Sequence, residues 1–245
     1  TLSPTSFFGL IPDKYVFTPT IENFGSVFNR SMTSGGAPES TGFDRYFFNS
    51  IVIASSSVLL ALVIGTLAAF ALHRYQSKIQ VLHRTLVTIP LVLPEILMGM
   101  GLLLLFVSIN QSLGMLTVTI AHVTFCISYV ALVVQSRLQD FDFQLVEAAR
   151  DLGASRLTAL LRVTLPLLAP GILAGGLLAF TLSIDDFVIT FFVKGPGADT
   201  LPVVIYSMIK KSREFPVINA LSTLLLVLTF LAAWGSQRLG NSYRA

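Results

Sequence analysis

The sequence predicts an all-α protein in which a bundle of helices crosses a membrane several times. Of its 245 residues 53% are hydrophobic and only 12% are charged, which is about half the charged share of a soluble domain. Apolar runs also recur at lengths close to the ~20 residues that a helix needs to cross a bilayer. The basic residues form no long run, which excludes a nucleic-acid surface, and the single cysteine excludes an intrachain disulfide.

Five apolar runs are predicted to cross the membrane, at residues 50–72, 86–109, 115–134, 165–184 and 217–234. The first is well defined because no charged residue lies between Arg45 and His73. The second contains a single acid, Glu95, directly after Pro94. The third has His122 as its only ionisable group. Each run is long enough for one membrane span.

Residues 50–245 are therefore predicted to form one transmembrane domain, preceded by an extracytoplasmic segment at residues 1–49. This segment is rich in Pro, Gly, Ser and Thr, which indicates loop structure. Its first residues lack the apolar core of a secretory signal. With only five spans, residues 1–49 would have to cross the membrane without a signal or a preceding span. We therefore expect a sixth span to precede Thr1.

A charged, amphipathic insert at residues 136–165 separates the third and fourth runs, and it contains the sequence EAARDLGASRLTALLRVTLP from Glu147 onward. Asp142 is placed to cap a first helix, Gly153 to end it and Ser155 to cap a second helix. Apolar residues recur at helical spacing, as Leu145, Ala149 and Leu152 in the first helix and Leu157, Leu160, Leu161 and Leu165 in the second. We expect a helix-turn-helix that lies against the membrane and presents its exposed faces to a protein partner.

This insert resembles the EAA loop of permease subunits in ABC importers. The pattern is Glu-Ala-Ala, three residues, Gly, nine residues, a β-branched or aliphatic residue, then Leu-Pro, and it falls here on Glu147, Ala148, Ala149, Gly153, Val163, Leu165 and Pro166. The resemblance implies the type I importer permease fold, usually of six spans, in the bacterial inner membrane. It also implies that the loop is cytoplasmic and couples to the ATPase through Glu147, Ala148, Ala149, Arg150, Asp151 and Gly153.

The resemblance implies partners as well. ATP would be bound by a dimer of ATP-binding subunits, so the chain needs no cofactor of its own. A second permease subunit, usually a different chain, and an extracytoplasmic substrate-binding protein would complete the system within the membrane lipid. The sequence contains no P-loop, no H-E-x-x-H and no Ser/His/Asp set, so no catalytic residue, enzyme activity or metal site is predicted.

Three acids within apolar runs need a reason to be there, because a carboxylate inside a membrane costs a few kcal/mol. Glu95 follows Pro94, which frees a backbone carbonyl and kinks the helix. Asp185 and Asp186 are adjacent and project about 100° apart on a helix, so one is expected to face the pathway and the other a neighbouring helix or subunit. A structural hydrogen bond for Glu95 and a helix end at the outer interface for the aspartate pair remain open.

The region from Ser183 onward resembles the second permease of spermidine/putrescine importers. The matching residues are Ser183, Asp185, Asp186, Gly195, Pro196, Leu201, Pro202, Ile205, Tyr206, Ser207, Met208, Asn219 and Ala220. The resemblance implies a polyamine path, for which Asp185, Asp186 and Glu95 supply negative charge and Tyr206 an aromatic face. The basic run at residues 210–213 is expected either to meet acids on the binding protein or to be an ordinary solvated surface.

Other functions are compatible with the same residues. A permease of this kind could carry an iron complex, a sugar or thiamine instead. A membrane enzyme would have to use His122 and Glu95, a pair in separate spans with no nucleophile or third ligand. An ion channel would have no need of the charged insert.

Overall fold

The structure, a computed structural model, describes residues 43–74, 78–211 and 215–241, so most of the predicted extracytoplasmic segment lies outside the described residues. The described part of the chain is helical, with no strand. Its helices are α1 (Phe43–Arg74), α2 (Lys78–Val92), α3 (Glu95–Ser108), α4 (Met115–Gln139), α5 (Gln144–Asp151), α6 (Arg156–Asp185), α7 (Val188–Val193), α8 (Leu201–Lys211) and α9 (Phe215–Asn241).

Four of these helices are long and apolar enough to cross a membrane by themselves. They are Asp44–His73, Met115–Gln139, Arg156–Asp185 and Ile218–Arg238, of 30, 25, 30 and 21 residues. Each contains all or most of one predicted apolar run. Because all four match or exceed the ~20 residues required, the predicted multi-pass helical fold is confirmed for these four runs.

The second predicted span is wrong as a single helix. The chain breaks at Leu93 and Pro94, and the two halves, Gln80–Val92 and Glu95–Ser108, are bent by 114° relative to one another. Pro94 has an extended backbone, with φ −56° and ψ 133°, and it has no N–H to continue the helix. The described chain therefore has five spans only if this bent pair counts as one.

Helices α1, α4 and α6 form the centre of the bundle and pack closely through small residues. A Cβ at Gly65 of α1 would lie 2.9 Å from the side chain of Val130 in α4, and one at Gly176 of α6 would lie 2.9 Å from Leu62 in α1. Buried alanines reinforce these contacts. Within a bilayer, where lipid is as apolar as leucine, such close backbone approach is a main source of helix association.

The loop between α7 and α8 is fastened to the end of the bundle opposite the charged insert. The side-chain amide of Asn49 donates to the carbonyls of Gly197 and Asp199, at 3.1 and 2.9 Å. Ser50 Oγ accepts from the backbone N–H of Leu201 at 2.8 Å, which caps α8. These bonds join α1 to a loop about 150 residues later, so they fix the position of α7 and α8 relative to the bundle.

Candidate functional site

One cavity is lined by Glu95, which follows the break at Pro94, and by the residues at the break after Asp185. Its volume is about 280 Å³, and all three predicted intramembrane acids line it. Apart from Thr181, the rest of the wall is aromatic or apolar and includes Phe125, Tyr129, Phe187, Met98, Leu182, Val188 and Ile189. The fold therefore brings together acids that are about 90 residues apart in sequence.

Glu95 is the first residue of α3 and its side chain is exposed. The unpaired N–H groups of a helix start carry partial positive charge, so a carboxylate there is stabilised. The break that Pro94 imposes thus places an acid at a helix N-terminus on the cavity wall.

Asp185 and Asp186 have different surroundings. Asp185 is exposed at the end of α6, whereas the side chain of Asp186 is only 5% exposed. The Asp186 carboxylate accepts from the N–H groups of Ile189 and Thr190, at 3.2 and 2.8 Å, and from Thr190 Oγ1 at 2.8 Å. Asp186 thereby caps α7, and Asp185 retains the freer carboxylate on the cavity wall.

His122 is a residue whose role the sequence did not predict. It is buried in α4, where Nδ1 lies 2.7 Å from Ser183 Oγ, and Nε2 lies 2.9 Å from Thr190 Oγ1 and 3.3 Å from the Asp186 carboxylate. Both ring nitrogens are therefore engaged across the break between α6 and α7. The pairing of His122 with Glu95 that a membrane enzyme would need does not occur here, because the imidazole is directed at these hydroxyl and carboxylate groups.

Tyr206 lies outside the cavity wall in the described part of the chain. Its ring packs on Phe187, with centroids 4.5 Å apart, and Phe187 itself lines the cavity. The ammonium of Lys210 lies 4.8 Å above the Tyr206 ring. The structure thus separates Tyr206 from the three acids by one aromatic ring.

The first helix of the charged insert begins two residues after Asp142 and ends just before Gly153. Asp142 Oδ1 accepts from the N–H of Gln144 at 2.9 Å, and Gly153 has a left-handed backbone with φ +91°. Ser155 accepts from the N–H of Thr158 at 3.2 Å and opens the next helix. The predicted roles of Gly153 and Ser155 are confirmed, whereas the N-cap position of the first helix is Phe143, one residue after Asp142.

The second half of the insert does not form a separate helix against the membrane, and that expectation was wrong. Arg156 begins a helix that continues to Asp185 through a wider, π-helical turn at Leu160–Thr164. The N–H of Leu165 bonds the carbonyl of Leu160, five residues back. Pro166 follows directly, and its ring would clash with the carbonyl four residues earlier in a regular α-helix. The wider turn accommodates this proline, so span and loop helix are continuous.

The loop surface predicted for ATPase coupling is exposed in this chain. The Glu147, Ala148, Arg150, Asp151 and Gly153 positions are exposed and Ala149 is half-buried. Leu152 is 90% exposed and no residue of α5 is buried. At its base, Phe143 stacks on His73 at the end of α1, with ring centroids 5.1 Å apart. The helix is therefore fixed at its base and accessible along its length.

These features define a polytopic helical membrane protein with an acidic cavity between broken helices and an exposed helical loop at one end. The chain belongs to the family described as binding-protein-dependent transport system inner membrane component, which it matches over residues 61–242. This is a family of transport components and not of enzymes. It confirms the predicted membrane transport class and the inner-membrane, multi-pass location.

Two curated relatives come from Escherichia coli (strain K12). The chain is 45% identical to the putrescine transport system permease protein PotI over 184 residues, which are 72% of this chain and 65% of the relative. It is 41% identical to the spermidine/putrescine transport system permease protein PotC over 189 residues, 77% of this chain and 71% of the relative. The chain thus spans just under two thirds of the length of PotI.

Solved structures of ABC transporters share the fold. An inward-facing form of the MetNI methionine transporter matches with a TM-score of 0.70 at 19% identity, covering 83% of this chain and 97% of that one. The alginate transporter, in complex with a periplasmic protein bound to an alginate pentasaccharide, matches with a TM-score of 0.64 at 17% identity and covers 98% and 92%. At these identities the similarity concerns the fold, and it confirms the predicted importer permease architecture.

Proposed function

We propose that this chain is the permease subunit of an ATP-driven importer and forms part of the path for polyamines. The observation that carries the proposal is the cavity lined by Glu95, Asp185 and Asp186. The names of PotI and PotC, which transport putrescine and spermidine, support the same solute class.

The cavity suits a cationic, partly apolar chain. Asp185 and Glu95 would receive ammonium groups, since opposite charge offsets the cost of moving a cation through a medium of low dielectric constant. Phe125, Tyr129 and Phe187 line the same space and offer ring faces to ammonium groups and apolar contact to methylene carbons. An anion would be repelled by these carboxylates, and a sugar could donate hydroxyl hydrogen bonds to them but would not neutralise their charge.

Energy would come from partner subunits. The exposed loop of residues 144–153 would dock on an ATP-binding subunit, and a dimer of such subunits would bind and hydrolyse ATP. A second permease, a different chain, would complete the path, and a substrate-binding protein would deliver the amine from outside. Closure of the ATPase dimer would move α5 and, through the continuous α6, the cavity wall at Asp185.

The test is ATP-driven uptake of radiolabelled putrescine and spermidine by proteoliposomes that contain the full complex. Asp185→Asn and Glu95→Gln each remove a charge from the cavity, and we expect the KM for uptake to rise about tenfold or more, as for loss of a charge-assisted contact. Asp44→Asn is the matched control, because Asp44 is exposed in the first turn of α1 and does not line the cavity. Absence of amine uptake by the parent complex would refute the polyamine assignment.

A further inference from the structure

We propose that His122 is a positioning residue for amine binding, which acts by holding the break between α6 and α7 so that Asp185 and Glu95 face one cavity. This role rests on the proposed polyamine path. His122 itself lies behind the cavity wall, buried to 1% exposure, and touches neither of the two acids through the bonds described above.

The hydrogen bonds around His122 fit together with every group satisfied. Thr190 has one hydroxyl hydrogen, and it is donated to Asp186. Its oxygen is then free to accept from His122, which requires the hydrogen on Nε2. Nδ1 in turn pairs with the hydroxyl of Ser183, which can serve as donor or acceptor to the ring. His122 therefore joins Ser183, on α6, to Thr190, on α7, and supplements the donors that surround Asp186.

This arrangement assigns different tasks to the two aspartates. Asp186 is occupied by the first turn of α7 and by the histidine. Asp185, one residue earlier, ends α6 and is exposed. Because the imidazole fixes both sides of the break, it fixes the direction of Asp185 as well.

The same bonds reach Glu95 through packing. Helix α7, held at Thr190, lies directly on α3: a Cβ at Gly99 would be 2.8 Å from the Phe192 ring and 3.4 Å from the Cα of Ile189. Glu95 lies one turn before Gly99 on α3. A shift of α7 would therefore move α3 and alter the separation of the two cavity acids.

The experiment measures uptake kinetics of the full complex with His122→Leu, which fills the space and removes both hydrogen bonds. Loss of two buried hydrogen bonds should raise the KM for putrescine about tenfold while maximal uptake and basal ATPase activity change little. His122→Gln, with one donor and one acceptor, should recover much of the affinity. Thr119→Val is the control, since within the described residues the Thr119 hydroxyl donates to the Met115 carbonyl of its own helix.

A double-mutant cycle with Asp185→Asn separates positioning from general damage. If His122 acts through Asp185, the double variant should have nearly the same KM as the Asp185→Asn complex alone. Ser183→Ala and Thr190→Val each remove one of the two hydrogen bonds to His122. Each should give a KM between those of the parent and His122→Leu, and both can be measured even if His122→Leu fails to assemble. Additive effects of His122→Leu and Asp185→Asn on the KM would overturn the role of His122. So would an unchanged KM in His122→Leu, Ser183→Ala and Thr190→Val while the parent still imports the amine. Either result would leave the proposed polyamine path intact.

Discussion

At the scale of single residues, each cavity acid takes its environment from a helix end. Glu95 opens α3, Asp185 closes α6 and Asp186 caps α7. The sequence predicted a kink at Pro94, but not that Glu95 would begin a new helix. It did not predict which aspartate would be the cap, because that depends on where α7 begins, and no proline or glycine marks the point.

His122 shows why the rest of the site was not predictable. In the sequence it is an isolated histidine in an apolar run, 61 residues from Ser183 and 68 from Thr190. No local spacing connects the three. Only the packing of α4 against α6 and α7 brings them within hydrogen-bond distance.

A close backbone contact leads to a residue-scale prediction at Gly195. A Cβ there would lie 1.8 Å from the carbonyl oxygen of Leu113, a backbone atom that cannot rotate away. Gly195→Ala should therefore destabilise the protein by about 1–3 kcal/mol or more, as overpacking does. The measurement is the thermal unfolding midpoint of the purified complex.

Gly101→Ala is the matched control, because a Cβ at Gly101 meets nothing within 4 Å and Gly101 lies inside α3. Alanine is favoured over glycine in a helix by about 1 kcal/mol, so this variant should be neutral or slightly stabilised. Equal midpoints for the two variants would contradict the close contact at Leu113.

At the scale of helices, the sequence predicted a helix end correctly wherever a single residue determines that end. Gly153 and Ser155 bound the turn of the charged insert as their chemistry predicts. Two helices differed from prediction for a common reason, which is proline. Pro94 broke a span that looked continuous in composition, and Pro166 was absorbed by a π-helical turn where a new helix was expected to begin.

The Ser155 cap carries an element-scale prediction. Its side chain satisfies the N–H of Thr158 at the start of α6, so Ser155→Ala should cost about 1 kcal/mol locally. Hydrogen exchange followed by mass spectrometry should show faster exchange at residues 156–159. Ser155→Asp keeps an acceptor and adds a charge suited to a helix start, so its exchange should stay slow; equal exchange in both variants would exclude a role for the cap.

At the scale of the whole molecule, one continuous helix connects the turn after the exposed loop to the cavity wall. Helix α6 runs from Arg156, next to the turn after α5, to Asp185 on the cavity wall. A 30-residue helix is about 45 Å long. This continuity gives the loop a mechanical connection to the cavity that a separate surface helix would lack.

The exposed Leu152 tests this connection. With 90% of its surface accessible in this chain, burial against the proposed ATP-binding subunit would contribute about 2 kcal/mol. Leu152→Ser should weaken retention of the ATP-binding subunit in pull-down and lower ATP-driven uptake. Leu104→Ser, on α3 and also exposed, should retain the subunit; loss in both variants would point to general instability instead.

The sequence by itself determined the helical membrane class, four of the spans, the caps of the charged insert and the acids that need a polar environment. All of these follow from composition, spacing and local backbone chemistry, which act over a few residues. The tertiary structure decided that Glu95, Asp185 and Asp186 share a cavity, that Tyr206 lies behind Phe187, and that His122 bridges the break. These relations join residues that are distant in sequence, and they arise only when close packing of α1, α4 and α6 sets the distances between helices.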